Sequence, residues 1–130
     1  ALTRGSWTPQ DEVLVRVHEP LSVLDLLDAG QCGHSWPLPK ALAAIQAAER
    51  GAAVLLNCGE DVQAMLNHLL PHDERAERQR GQMDLRTYGI GAQILRELGI
   101  SRMKLLGSPR RMPSMVGYGL EVTGFVAANT

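Results

Sequence analysis

Apolar positions along this chain switch repeatedly between a period of two and a period near 3.6, the two signatures of strands and amphipathic helices. Val13-Leu14-Val15-Arg16-Val17-His18 alternates apolar and polar residues over its second half. That is the pattern of a half-buried strand, ended by Pro20, which has no amide to donate. Ser22 to Asp28 then spaces its apolar residues as a short helix capped by Ser22. Gly30 to Pro39 is a turn-rich loop holding Cys32, His34 and Trp36. Pro39 suits the first turn of a helix, in which Leu42, Ile45 and Ala48 or Glu49 recur at helical spacing and which Gly51 stops. Ala52 to Asn57 is a short apolar run, the pattern of a buried strand. Asp61 reads as the N-cap of a helix with Val62, Met65, Leu66 and Leu69 as its apolar stripe, limited by Pro71.

From His72 to Met83 the chain is charged and nearly without apolar residues. It can bury little area and reads as a mobile loop or a frayed helix extension. Order returns at Asp84. Thr87 is placed to cap a helix, Ile90, Ile94, Leu95 and Leu98 form its apolar stripe, and Gly99 sits where a left-handed C-cap puts its glycine. Arg102 to Leu106 follows as a strand, Pro109-Arg110-Arg111 as a basic turn, and Leu120 to Val126 as a final strand. This alternation predicts an α/β fold, a mixed sheet with flanking helices. Residues 1–10, with Gly, Ser, Thr and Pro, read as a linker or loosely held arm pinned by Trp7, ahead of one domain over residues 11–130.

Composition narrows the function classes. With 130 residues, 45% hydrophobic and 21% charged, the chain is an ordinary globular domain with enough core to fold alone. A formal net charge of −1 implies no broad basic surface and gives no case for nucleic acid. The two cysteines make no disulfide framework and suit reduced thiols in a cytoplasm. No apolar run approaches the roughly 18 residues of a membrane span, and no signal pattern opens the chain. The first residue is Ala, which reads as a fragment or processed chain that lacks an N-terminal domain.

The longest informative run is Asp84-Leu85-Arg86-Thr87-Tyr88-Gly89-Ile90-Gly91-Ala92-Gln93-Ile94-Leu95, followed by Leu98-Gly99, Leu105-Leu106 and Gly117-Tyr118-Gly119-Leu120-Glu121-Val122. With Val15-Arg16-Val17-His18, it resembles GTP cyclohydrolase II, the zinc enzyme that opens the imidazole ring of GTP at the start of riboflavin synthesis. The resemblance extends from about Glu12 to Phe125 and implies that family's fold. It also implies Asp84 as a proton acceptor, Arg86 as the group that attacks phosphorus, and Arg16, His18, Tyr88, Arg110 and Arg111 as nucleotide or phosphate contacts. From the residues alone, Asp84 and Arg86 are an ion pair at a helix start, because a guanidinium stays protonated and an Asp there favours the helix dipole. Likewise Tyr88 reads as a packing residue and His18 as a structural one.

The middle of the chain departs from that pattern. Hydrolysis at zinc needs three protein ligands and an open position for water. The family's three cysteines fall here on Leu21, Cys32 and His34. Leucine cannot ligate, and Cys58 or His68 would have to complete a site from elsewhere. The family's glycine- and arginine-rich phosphate loop is replaced by Asn57-Cys58-Gly59-Glu60-Asp61-Val62-Gln63, which puts negative charge where a triphosphate needs positive. The phosphate turn keeps Arg110 and Arg111 but has Gly107-Ser108 in place of Thr-Asn-Asn. The resemblance therefore implies a domain that keeps the scaffold and has lost the catalytic equipment. It would be a homodimer fused behind a 3,4-dihydroxy-2-butanone 4-phosphate synthase domain, cytoplasmic, without cofactor, and with GTP binding weak or absent. One alternative is an active GTP cyclohydrolase using zinc and magnesium. The other is a regulatory module that binds a nucleotide or phosphorylated metabolite without turnover through Arg86, Arg110 and Arg111.

Overall fold

Parallel strands cannot be joined by hairpins, so each pair requires a crossover, and here helices supply it. The computed structural model describes residues 1–19, 21–22, 25, 35–56, 62–63, 66, 85–109 and 113–128, with residues 85–88 and 113–114 described by their backbone alone. The elements are β1 (Leu2–Arg4), β2 (Glu12–His18), α1 (Leu38–Ala47), β3 (Gly51–Leu55), α2 (Leu85–Glu97), β4 (Arg102–Leu106), α3 (Pro113–Gly117) and β5 (Glu121–Val126). The sheet order is β1-β3-β2-β4-β5. β2 runs parallel to both β3 and β4, β4 runs parallel to β5, and β1 closes the far edge antiparallel to β3. The α/β class with a mixed sheet is thus the observed one.

β2 is central and buried on both faces. Val13 and Val15, both fully buried, face a core completed by Ala52, Val54, Ala92, Leu95, Met103 and Leu105. On the other face α1 packs Ala41 and Ile45 against Ala53 and Leu106. The alternation in β2 predicted polar residues open to solvent. Instead Arg16 is 7% exposed and His18 0% exposed. A parallel sheet covered on both sides leaves its middle strand no wet face, so these polar groups need partners inside the protein.

Both α2 and α3 end in the same device. Gly99 and Gly119 adopt φ of +76° and +74°. Beyond α2, the Ile100 amide donates to the Leu95 carbonyl at 3.1 Å and the Gly99 amide to Arg96 at 2.9 Å. Beyond α3, Leu120 donates to Met115 at 2.9 Å and Gly119 to Val116 at 3.0 Å. These are paired Schellman caps, each with its apolar contact, Leu95 to Ile100 and Met115 to Leu120, inside one core. Each turn delivers the chain into the next parallel strand. Across that last strand pair, Thr123 is an extra residue on β5 at a shift opposite Met103 and Lys104, and its hydroxyl lies 2.6 Å from the Glu12 carboxylate and 3.0 Å from the Met103 carbonyl.

Several expectations need correction. α2 begins at Leu85, so Thr87 lies within the helix and is not its cap. Ile90 is 52% exposed, and the buried stripe runs through Ala92 and Leu95. Gly91 lies beside it, where an added Cβ would sit 3.4 Å from Val17 Cγ1, so its lack of a side chain lets the helix approach the sheet. α1 ends at Ala47, and Gly51 opens β3. Val62 and Leu66, expected on a buried stripe, are 67% and 46% exposed. α3 was not anticipated, because five residues are too few to show a helical period; Pro113 suits its first position. Residues 1–10 carry β1, and Trp7 donates its indole N–H to the Leu98 carbonyl at 3.0 Å.

These packing relations fix two outcomes. Leu95→Ala should cost about 2–5 kcal/mol, as for a fully buried leucine. Gly99→Ala should cost about 1–2 kcal/mol, the strain of a left-handed residue with a Cβ. Urea unfolding of the two variants checks both, and a Gly99→Ala protein as stable as the parent would contradict the cap.

Candidate functional site

In parallel α/β sheets, ligand sites gather where strands end at their carboxyl edge. Here that edge is formed by His18 of β2, Leu55 of β3, Leu106 of β4 and Val126 of β5. The first half of α2 reaches the same edge, since Gly91 lies against Val17 and Leu56. Arg86 and Tyr88 are therefore in the first turn of a helix that starts above the ends of β2 and β3.

Arg16 and His18 stand side by side on the α1 face of β2, two residues apart as the pleat requires. Arg16 Nη1 donates to the Leu106 carbonyl at 2.9 Å. Its Nη2 lies 3.4 Å from the Trp36 carbonyl and 3.4 Å from His18 Nδ1. On the other side of the ring, His18 Nε2 faces Asp25 Oδ2 at 3.1 Å, with both side chains almost completely buried. That same carboxylate oxygen accepts the Ser22 amide at 2.8 Å. A guanidinium can only donate, so the neutral imidazole accepts at Nδ1 and carries its proton on Nε2, the nitrogen that lies 3.1 Å from Asp25 Oδ2.

Burial is the main cause holding the His18 pKa below its ordinary value. The Asp25 carboxylate works in the opposite direction through its hydrogen bond and charge, and the Arg16 charge adds to the lowering. His18 is therefore the neutral member between a cation and an anion.

The structure thus brings Arg16 and His18 together, and sets Gly107 beside them, where an added Cβ would lie 3.8 Å from Arg16 Nη1. It adds Asp25, which the sequence reading did not single out. The signal was there: Ser22 and Asp25 have capping-box spacing, and the acid at the third position reaches back to the cap amide. Asp84, Cys32, His34, Cys58, Glu60, Asp61, His68, Arg110 and Arg111 lie outside the described residues, as do the side chains of Arg86 and Tyr88. A cleft of about 300 Å³ between the two Schellman turns, lined by Arg96, Ser101 and Tyr118 among others, lies at the opposite edge and contains none of the candidate residues.

Zinc can be tested against Leu21, whose amide donates to the Leu56 carbonyl at 3.0 Å and whose side chain offers no donor atom. A three-thiolate site does not fit a chain with leucine at that position. Among the described residues, no group of three or more His, Cys, Asp or Glu could hold a metal ion. No helix among them is long and apolar enough to cross a membrane.

The five-stranded mixed sheet and its helical crossovers, with the Arg-His pair at the carboxyl edge, make this an α/β domain. The chain belongs to the GTP cyclohydrolase II family, whose model matches residues 1–127. It is 44% identical over 128 residues to a 3,4-dihydroxy-2-butanone 4-phosphate synthase of Neisseria meningitidis serogroup A, covering 98% of this chain and 34% of that protein. It is 34% identical over 133 residues to a riboflavin biosynthesis protein RibBA of Cytophaga hutchinsonii, covering 95% of this chain and 33% of the relative. A synthase of the first name from Pseudomonas aeruginosa is 35% identical over 133 residues, with 98% and 35% covered. The chain spans about a third of the length of these curated relatives. No solved structure matches it.

The buried imidazole makes stability depend on pH with a definite sign. Above about pH 6.5 the unfolded and folded states both hold His18 neutral. As pH falls below that value, the unfolded ring takes a proton that the folded protein resists, so stability is lost toward the lower folded pKa. Urea unfolding at a series of pH values should show this loss, and His18→Gln should make the curve shallower below about pH 6.5.

Proposed function

We propose that this chain is a GTP cyclohydrolase II-like domain of riboflavin biosynthesis that has lost catalysis and serves as a structural, dimerising partner for a fused 3,4-dihydroxy-2-butanone 4-phosphate synthase. The observation that carries the reading is the engagement of Arg16 and His18. The family resemblance places nucleotide contacts on this segment, yet here it is buried and directed at the carbonyls of Leu106 and Trp36 and at Asp25. Leu21 in place of a thiolate, and Glu60 and Asp61 where a phosphate loop would carry arginine, support it from the sequence. The synthase names borne by relatives three times as long support the fused partner. Within this reading Asp84 and Arg86 have a structural role and no catalytic one.

A triphosphate brings up to four negative charges, and micromolar binding amounts to roughly 8 kcal/mol. Surface ion pairs contribute only about 0–1 kcal/mol each, so the two charges of Arg110 and Arg111 would fall far short of that figure. Calorimetric titration of GTP with magnesium should give no dissociation constant below about 10 μM. Metal analysis of the purified protein should find zinc well below stoichiometric. Tight GTP binding that is lost in Arg86→Ala, or one zinc per chain lost in Cys32→Ser, would replace this reading with an enzyme or a nucleotide sensor.

A further inference from the structure

The buried polar chain on which the proposed function draws also closes on itself, through the exits of β4 and β5. The Leu106 carbonyl that accepts from Arg16 belongs to the same peptide plane as the Gly107 amide. That amide donates to the Val126 carbonyl at 3.0 Å. The same Val126 oxygen accepts the Trp36 indole N–H at 2.7 Å, and the Trp36 carbonyl in turn faces Arg16 Nη2 at 3.4 Å. Arg16 therefore closes a ring through the exit of β4, the exit of β5 and the approach to α1. His18 joins this ring to Asp25 and through it to the Ser22 amide.

We propose that Arg16, His18 and Asp25 form a coupling element that makes the order of the chain leaving β4 and β5 depend on the turn at Ser22 and Asp25. The physical reason is the direction of each bond. Arg16 can only donate to Nδ1, so the neutral ring carries its proton on Nε2, and the Asp25 carboxylate 3.1 Å away favours it there. An imidazole turned or protonated differently would present a donor to a donor and displace the guanidinium from Leu106. In a buried setting breaking these bonds is costly, and that cost couples the two ends. This inference holds whether or not the domain binds GTP.

Amide exchange tests it without any ligand. In Asp25→Ala, exchange of the Gly107 amide and the Trp36 indole should speed by about tenfold relative to the Leu105 amide inside the β4 ladder. Asp25→Asn, whose amide oxygen can still accept from Ser22, should recover part of the protection. Acceleration confined to Ser22, or equal acceleration at Gly107 and Leu105, would overturn the coupling. The ¹⁵N shifts of His18 in the unaltered protein give a second check that needs no variant. An unprotonated Nδ1 and a protonated Nε2 are expected at neutral pH, and the reverse tautomer would break the chain at Arg16 and sink the proposal.

Discussion

A buried guanidinium at the end of the central strand is the constraint around which the carboxyl edge of this domain is arranged. Arg16 cannot release its charge, and it is only 7% exposed. Removing such a group from water is costly unless acceptors surround it. The protein supplies them from segments far apart in sequence, the carbonyls of Leu106 and Trp36, and places the acceptor nitrogen of His18 alongside. The exits of three strands and the entry to α1 are held by meeting that requirement.

This arrangement bears on the proposed function because it engages side chains that the family resemblance assigns to a nucleotide. In a site built for an anion, arginine forks are aimed at the ligand and backbone amides converge on it. Here the described fork is aimed at peptide carbonyls. The same edge still carries the features of a ligand-binding α/β domain, with strand ends in register and a helix start above them. The family scaffold and an inward-facing Arg16 can coexist, since a fold sets where chemistry is placed and the side chains decide whether it occurs.

Stability is secured mainly away from that edge. The core between the sheet and α2 and α3 is apolar, and both helices leave it through Schellman turns that pin the start of β4 and β5. The N-terminal residues close the opposite side. β1 extends the sheet, Trp7 bonds to Leu98, and Arg102 reaches both Glu121 and the Gln10 carbonyl. With one end of the sheet held by packing and caps, the other can carry a polar network without endangering the fold.

The sequence by itself determined the α/β class, the bounds of β4, the left-handed Gly99 and the family, because local period, glycine chemistry and a long motif are written in contiguous residues. It placed Arg16 and His18 at the end of a strand. It could not tell that β2 is covered on both faces, since alternation looks the same whether the polar side meets water or a second layer. That error hid the buried network and left Asp25 unnoticed, although its capping spacing was visible. It also misplaced Ile90 and Thr87, because a helix face and a helix start are chosen by what the helix packs against. Only the tertiary structure decided these points: it brought Leu106, Trp36 and Val126 to Arg16 and His18, and no local pattern encodes contacts across some ninety positions of chain.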